Sequence, residues 1–499
     1  MAENIDREIG LVHAHQGWLL RIDTSSGQRN VLGPIEQISI DEHAEIAVDA
    51  FKFCLQHALD LALDAYLGAR GDARQRLDAV LADDPACVLG HCLDGYLHLL
   101  SSKRVAFAGA ADALARARAI GRPEQARLTE RERSHVDALD AWSRGDFRGA
   151  VRHWDAILER APLDIMALRV SQFLLSYLGE SARMRVTVER VLPAWDAGMP
   201  GYGYVLGCYA YGLEESGDYT AADAAGRRAV ELNPSDIWAA HAVAHVAEMR
   251  GRLGDGLAWI RDVAPHWSHC NNFTLHLRWH EALYHLDLER HDTVLALYDA
   301  AVRPSPTDEY LDVTNAVSLL WRLEQAGVDV GARWLELAER ARGHLHDHAL
   351  VFADLHYLMA LAAVGDDASI AGLMESCRRF ADAGGSTEAA VMADVGLPLA
   401  QAVVAHRSGE YGRVVDALMP VRSHVRRIGG SHAQRDLFDQ LLIDAALRGA
   451  RLDVAADLLA ERTTRRPRNL WAWTHYAAVL AAQGASGAAA AARRADALR

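Results

Sequence analysis

The sequence lacks the features that mark disulfide-rich, nucleic-acid-binding and membrane proteins. Its 499 residues include 6 cysteines and no CxxC pair, so we expect reduced thiols rather than a disulfide or zinc-finger framework. The formal net charge of −15 argues against nucleic acid or an anionic membrane surface as a partner. There is no apolar N-terminal leader and no apolar run of about 18 residues. The sequence therefore predicts a cytoplasmic protein.

What the sequence does contain is mostly helical periodicity. Only 13 prolines interrupt it, and alternating β-type runs are scarce. Residues 17–33 are the exception and predict a small hairpin or a loop. We expect an N-terminal extension over residues 1–40 that packs on a continuous helical array over residues 41–483. The alanine-rich residues 484–499 predict a capping helix or tail.

Short turns of one kind recur along the chain, as in "SRGDF", "ESGDY" and "HRSGEY". Each has a glycine, an acidic residue and an aromatic residue ahead of a helix, and a proline often closes that helix. Counted back from Pro234, Ala210 and Ala222 fall where two helices of a hairpin must pack closely. Pro162 and Pro306 give comparable registers. The pattern resembles the tetratricopeptide repeat, a helix–turn–helix unit of about 34 residues, and predicts an all-α superhelix of eight to eleven hairpins.

Four stretches resemble one family more specifically, tetratricopeptide repeat protein 38 and its bacterial relatives. They are "HAVAHVAEMRGR" (241–252), "HLRWHEALYHLDLERHDTVLALYD" (276–299), "LDVTNAVSLLWRLE" (311–324) and "GGSHAQRDLFDQLL" (429–442). The resemblance spans roughly residues 40–450 and implies a cytosolic, all-helical array. It implies no reaction, so the site residues must be argued from their chemistry.

The repeat register places a polar stripe on an otherwise apolar helix. In tetratricopeptide arrays, certain positions of the first helix face the concave groove, and the resemblance assigns Trp238, His241, His245 and Glu248 to them. The neighbouring repeats add Tyr204, Tyr211, Glu214, Glu215, His276, Trp279 and His280 to the same surface. The spacing of His241 from His245, and of His276 from His280, puts each pair on one helical face.

Further polar residues are predicted around this groove. Asn271 and Asn272 precede the second histidine helix, and a later helix carries Asp312 and Asn315. The remaining candidates are Asp354, His356, Ser431, Gln434, Arg435 and Asp436. Ser431 and Gln434 fit a capping box at a helix start, where Arg435 would favour an anion.

Three chemistries fit these residues. The first is a divalent metal such as zinc, with His241, His245, Glu248, His276 and His280 as ligands. The second is metal-free acid–base catalysis, in which His245 pairs with Glu248, or His356 pairs with Asp354 or Asp436. The third is binding without chemistry, with aromatic walls and polar partners in the groove. A bland alternative is a set of histidines that satisfy one another in the core.

The sequence slightly favours an enzyme over a binding protein. The predicted catalytic groups are His241, His245, Glu248, His280, His356 and Asp436. The predicted substrate-binding groups are Tyr204, Tyr211, Trp238, Asn271, Asn272, Trp279, Asp312, Asn315, Ser431 and Arg435. The expected ligand is a small polar molecule or a short peptide, which acid–base or metal-assisted chemistry would hydrolyse or rearrange. The alternative is a non-catalytic peptide- or protein-binding scaffold, and a homodimer is left open.

Overall fold

A short sheet precedes a long series of helices in the computed structural model. The structure describes residues 8–14, 17–24, 27–30, 44–121 and 128–499, with side chains from residue 56 onward. Strands β1 (Glu8–Ala14), β2 (Gly17–Thr24) and β3 (Gly27–Asn30) pair antiparallel in that order. The hairpin predicted over residues 17–33 is therefore present as β2 and β3, and β1 extends it. Residues 31–43 lie outside the described part, so the packing of residues 1–40 on the array stays a prediction.

The rest of the described chain is α-helical. The first twelve helices are α1 (Ala44–Leu67), α2 (Ala73–Asp83), α3 (Val88–Leu100), α4 (Ala106–Ile120), α5 (Glu130–Ser143), α6 (Phe147–Arg160), α7 (Ile165–Tyr177), α8 (Ser181–Val191), α9 (Tyr202–Glu215), α10 (Tyr219–Leu232), α11 (Ile237–Met249) and α12 (Leu253–Val263). The others are α13 (Phe273–Asp287), α14 (His291–Leu297), α15 (Tyr310–Gln325), α16 (Arg333–Arg342), α17 (Val351–Val364), α18 (Asp367–Ala383), α19 (Thr387–Val391), α20 (Leu397–Arg407), α21 (Tyr411–Leu418), α22 (His432–Arg448), α23 (Leu452–Arg465), α24 (Leu470–Ala482) and α25 (Ala488–Asp496).

Consecutive helices pack as hairpins, as the repeat pattern predicts. A π-helical turn joins α19 to α20, and with that pair counted as one helix, twenty-four helices form twelve hairpins in the described part, one more than the upper expectation. The fold is an all-α solenoid of tetratricopeptide-type hairpins. Ala210 and Ala222 have no exposed surface, which confirms the close packing that the register assigns to them.

The recurring Gly-Asp turn has a physical basis in the structure. Gly145 and Gly217 have φ values of 77° and 85°, a left-handed conformation that glycine adopts without strain. The aspartates that follow, Asp146 and Asp218, cap α6 and α10 by accepting backbone N–H bonds. The turn thus ends one helix and starts the next within a few residues.

The superhelix is wound tightly enough that segments about 200 residues apart in sequence touch. The N–H of Gly71 donates to the carbonyl of His269 at 3.0 Å, and the N–H of Asn271 donates to the carbonyl of Ala69 at 2.7 Å. Further along, the N–H of His432 donates to Glu215 Oε1 at 2.7 Å. These contacts close the superhelix on itself, and α11 is buried on every side, from Ile237 to Glu248.

One continuous helical stretch, Thr387–Arg407, passes a length-and-hydropathy test for a membrane span in the described part of the chain. Within its most apolar window, 56% is buried inside the protein, and α20 packs against α17 and α21. The stretch is thus placed as a core helix of the solenoid.

Glu388 in this stretch provides a pH-dependent contribution to stability. Burial raises its pKa to about 8, and the nearby Asp354 adds to that effect, although the Val351 N–H that donates to it at 2.8 Å opposes it. The folded protein therefore holds this proton up to about pH 8, whereas the unfolded chain releases it near pH 4.5. Stability must fall as pH rises through this window.

We expect Glu388→Gln to remove this pH dependence. The amide keeps the bond to Val351 without ionising, so the variant should match the wild type at pH 5. It should exceed the wild type by about 2–4 kcal/mol at pH 8, since one pKa unit corresponds to about 1.4 kcal/mol. Urea unfolding at pH 5, 6.5 and 8 measures this difference, with the exposed Glu375→Gln as control. Parallel curves for Glu388→Gln and wild type would contradict the assignment.

Candidate functional site

Four buried histidines meet between α11 and α13. Helix α11 begins after Asp236, whose Oδ1 accepts the Ala239 N–H at 3.0 Å. The i, i+4 spacing then points His241 and His245 toward α13, where His276 and His280 have the same spacing. All four side chains are at most 3% exposed. Small alanines on α11 allow the two helices to approach closely.

The four rings form one compact cluster. His241 Nε2 lies 3.0 Å from His276 Nε2 and 2.8 Å from His245 Nε2. The ring of His280 lies 4.5 Å from that of His245 and 4.9 Å from that of His276, between centroids. One nitrogen of each ring lies within 4.8 Å of the others. The two histidine pairs were predicted to share one surface, and in the structure their rings are in direct contact.

The outer nitrogen of three of the rings faces an acceptor, and in two of them, His276 and His280, it is hydrogen-bonded. His245 Nδ1 lies 3.3 Å from Glu214 Oε2, and His280 Nδ1 lies 3.0 Å from Glu248 Oε2. His276 Nδ1 lies 3.2 Å from Asn315 Oδ1. At His276 and His280 the acceptor oxygen favours the ring proton on Nδ1, which leaves the Nε2 lone pair free.

Glu248 therefore has a different place from the one predicted. It pairs with His280 rather than with His245, because α13 brings His280 to the outer side of its carboxylate. Glu214 on α9 takes the place beside His245 instead. Glu248 is also outside the set of four converging nitrogens, so it supports the cluster from behind and does not face its centre.

The electrostatics favour the neutral form of three of the four imidazoles. Burial and the neighbouring rings hold the pKa values of His241, His276 and His280 well below the ordinary range. For His245 burial is the largest single effect and acts in the same direction, but the carboxylates of Glu214, Glu248 and Glu215 together outweigh it, so the pKa is raised. Histidine binds metal ions as the neutral imidazole, so His241, His276 and His280 are in the required form, and His245 would release a proton on binding.

Aromatic rings enclose the cluster. Tyr211 and Trp238 lie 5.7 and 5.5 Å from the His241 ring, and Trp279 stacks on His276 at 5.3 Å. Phe273 contacts both helices' histidines, with its ring 5.2 Å from that of His241. Beyond Trp238 and Phe273 lies a cavity of about 470 Å³.

Not every predicted substrate-binding residue lies near the histidines. Trp238, Asn271 and Asn272 line the cavity. Asp312 instead accepts hydrogen bonds from Asn272 and Thr307, which fixes the loop ahead of α13. Tyr204 was predicted to share the surface of Tyr211, but its hydroxyl lies beside Gly68 at the end of α1. Two helical turns separate Tyr204 from Tyr211, and the curvature of the array directs the former to α1.

The helix start at Ser431 is capped as predicted. Ser431 and Gln434 form both bonds of the capping box. The anion expected there belongs to the protein itself, because Glu215 accepts from the His432 N–H and lies 2.9 Å from Arg435 Nη2. Arg435 is thereby used in closing the superhelix.

The predicted acid–base pairs with His356 are not formed. Asp354 lies 3.0 Å from His348 Nδ1, whereas His356 Nδ1 donates to the carbonyl of Phe352 at 2.7 Å. Asp436 is held by Arg462, with the two nitrogen–oxygen distances 2.5 and 2.8 Å. Burial lowers the pKa of His356 to about 4, so it is a neutral core residue.

The residues near the groove and the cavity that the sequence analysis did not predict are mostly arginines. Arg462 and Arg466 reach the groove from α23 and the turn after it, and Arg169 lines the cavity from α7. Their positions depend on contacts between distant turns of the superhelix. The excess of buried carboxylates in the groove, including Glu214, Glu215 and Glu248, is the one sequence signal that calls for such partners.

A scan against models of known protein families finds no match. Among solved structures, the chain is similar to the human IFIT1 dimer with PPP-AAAA, at 12% identity over 93% of this chain and 96% of that chain, with a TM-score of 0.38. The human IFIT1 dimer with m7Gppp-AAAA gives 13% identity over 93% and 96%, with a TM-score of 0.36. Naa15/Naa10 bound to HypK-THB gives 13% over 85% and 66%, with a TM-score of 0.24.

These likenesses are too distant to carry any inference about ligands. They concern helical folds alone, and the expectation that this chain binds no nucleic acid stays a prediction. The resemblance of the sequence to tetratricopeptide repeat protein 38 likewise stays a prediction.

Proposed function

We propose that this protein is a metal-binding tetratricopeptide-type scaffold. His241, His245, His276 and His280 would hold one divalent first-row transition ion in its closed groove. The observation that carries the proposal is the convergence of four imidazole nitrogens inside the protein. Outer hydrogen bonds at His276 and His280 support it, since metal-bound histidines almost always donate their other N–H in this way, and Glu214 lies 3.3 Å from the outer nitrogen of His245.

The number of ring nitrogens without a proton in the cluster also supports a bound cation. If Nδ1 carries the proton at His245, His276 and His280, three Nε2 lone pairs face inward. His241 Nε2 can donate to only one of its two neighbours, and the Nε2 of His280 has no hydrogen-bond partner. A metal ion would accept the surplus lone pairs. Its nitrogen ligands lie at about 2.0–2.1 Å, so neighbouring nitrogens of a tetrahedral site would separate to about 3.3 Å.

The same geometry favours binding over turnover. Four histidines complete the tetrahedral shell of zinc, whereas catalytic zinc sites keep one position for water or substrate. Trp238 and Phe273 stand between the cluster and the cavity. We therefore favour the scaffold over the hydrolase that the sequence slightly favours, with the four histidines as ligands and Glu214, Glu248 and Asn315 as their supports.

The metal content of the full chain tests the proposal. We expect protein without a polyhistidine tag to retain about one zinc per chain after reconstitution with Zn²⁺ and removal of free metal, by mass spectrometry of the elements. With Co²⁺ as probe, the visible spectrum should show the strong bands of tetrahedral nitrogen coordination. Reconstituted protein with less than about 0.1 equivalent of zinc and of cobalt would refute the proposal.

A further inference from the structure

The cavity beyond Trp238 and Phe273 is a second feature of the groove. It lies between early and late hairpins of the superhelix, with residues of α1, α3, α7, α11, α13 and α15 at its walls. Phe173, Tyr177 and Tyr310 supply much of the apolar wall. A volume of about 470 Å³ is within the range of small-molecule sites, which are mostly apolar with a few placed polar groups.

Arg169 is the polar group that distinguishes this cavity. Its residue is 4% exposed, and it forms no direct ion pair with any residue that the structure describes, while the buried Asp236 interacts with it only at longer range. Nη1 lies 3.7 Å from the sulfur of Cys208, and Nε has no hydrogen-bond partner. The guanidinium instead stacks 4.2 Å above the Trp238 ring and 4.9 Å from that of Phe173. A buried guanidinium without a carboxylate partner is costly to the free protein.

The other arginines of the cavity differ from Arg169. Arg70 pairs with Asp72 at 3.0 Å, and Arg74 pairs with Asp94 at 2.6 Å. Both lie at the partly exposed rim, where their charges are already balanced. Arg169 is therefore the arginine of this cavity that lacks a direct ion pair, and the one carboxylate whose pKa it lowers, that of the buried Asp236, does not bind it directly.

Two further donors at the walls lack acceptors. The Tyr66 hydroxyl and the Trp238 Nε1 are buried and have no hydrogen-bond partner, and both residues line the cavity with Arg169. Buried donors are normally satisfied, so three unsatisfied donors at one cavity indicate a missing acceptor. A carboxylate supplies two acceptor oxygens in the geometry that a guanidinium fork matches.

We propose that this cavity binds a small molecule with one carboxylate group and an apolar or aromatic body. Arg169 receives the carboxylate, and Phe173, Tyr177 and Tyr310 contact the body. A monoanion suits the site better than a phosphate dianion, because one unpaired positive charge faces a cavity whose rim also carries Glu309. The site does not require the metal, so the two proposals stand or fall separately.

Titration calorimetry with 3-phenylpropionate and its uncharged amide tests the class of ligand. We expect the acid to bind at least about 10-fold more tightly than the amide, since charge-assisted hydrogen bonds are the stronger ones. Inorganic phosphate should bind more weakly than the acid. A tetrapeptide with a C-terminal phenylalanine, compared with its C-terminal amide, shows whether a peptide terminus also serves as the source of the carboxylate. Each titration is repeated on protein stripped of metal.

Variants of Arg169 connect the binding to this residue. Arg169→Met should weaken the acid at least 10-fold and leave the amide unchanged, and its Tm should equal or exceed that of the wild type, because an unpaired buried charge is removed. Arg169→Lys keeps the charge but loses the planar fork and should fall between the two. Arg70→Met is the rim control and should bind as the wild type does.

Several results would overturn the proposal. They are equal binding of acid and amide, full binding by Arg169→Met, tighter binding of phosphate than of the acid, or no binding of the acid up to 10 mM by the folded wild type. A large fall in the Tm of Arg169→Met would show instead that Arg169 supports the fold.

Discussion

His241→Ala is expected to lose its bound metal. His241 is the centre of the cluster, since its Nε2 lies within 3.0 Å of the Nε2 atoms of both His245 and His276. Removal of this imidazole takes away one ligand and leaves a gap between the remaining three. We expect zinc affinity to fall by more than the 10–100-fold that changes to outer partners cost. Competition with a chelating dye measures this loss.

Glu214→Gln is the matched outer variant. The amide is isosteric with the carboxylate and keeps an oxygen near His245 Nδ1, but it lacks the charge that stabilises the ring proton. We expect it to bind zinc about 10–100-fold more weakly than the wild type. His266→Ala, at an exposed histidine before α13, should bind as the wild type does.

The thermal stability of the same variants separates a metal centre from a hydrogen-bonded core. Metal that binds only the folded state stabilises it by about 2.7 kcal/mol at a free concentration 100-fold above Kd. A chelator should therefore lower the Tm of the wild type and of His266→Ala, but not that of His241→Ala. If chelator leaves the Tm of the wild type unchanged, and His241→Ala is destabilised both with and without chelator, the histidines are core residues. That result would contradict the metal centre.

The part of this site that could be predicted from the sequence follows from helix periodicity and the repeat register. An i, i+4 pair places two side chains on one face whatever the tertiary fold, so the directions of His241 and His245 follow from the sequence. The same holds for His276 and His280, and the short connection between successive repeats brings the two pairs together. The Gly-Asp turns similarly predict the hairpins, because glycine conformation and aspartate capping are local properties.

The partners of the histidines depend on distances that a register does not contain. Glu248 is three residues from His245 on the same helix, which made that pair the natural prediction, yet the side chain of His280 from α13 comes closer. Glu214 reaches His245 from the preceding repeat for the same reason. The distance between neighbouring helices decides which carboxylate each histidine contacts.

The sequence also did not predict the ion pairs that close the groove between distant turns of the superhelix. Glu215 meets Arg435 across 220 residues, and Glu248 meets Arg466 across 218. Such contacts follow from the pitch of the superhelix, which sums small rotations over many repeats. A local pattern predicts each hairpin but leaves the accumulated curvature open, and with it the arginines that neutralise the buried carboxylates.

Asp436→Asn is expected to destabilise the protein by about 3–5 kcal/mol, because breaking a buried ion pair leaves its partner uncompensated. Both oxygens of Asp436 bind Arg462, which is 4% exposed, and Arg466 lies 3.6 Å from Oδ2. Burial opposes the charge of Asp436, but these arginines outweigh it and hold its pKa far below the ordinary range. The stabilisation is thus present above about pH 4 and is lost as the pH falls.

Urea unfolding at pH 7 measures this loss, and the exposed Asp457→Asn on the same helix as Arg462 is the control. The double variant Asp436→Leu/Arg462→Met should recover part of the stability, since it removes both charges and Arg466 retains Glu248 at 3.4 Å. A loss below 1 kcal/mol in Asp436→Asn would mean that the arginines find other acceptors. Because Arg466 also contacts the carboxylate that supports His280, Asp436→Asn should weaken zinc binding as well, which would connect the closure of the superhelix to the histidine cluster.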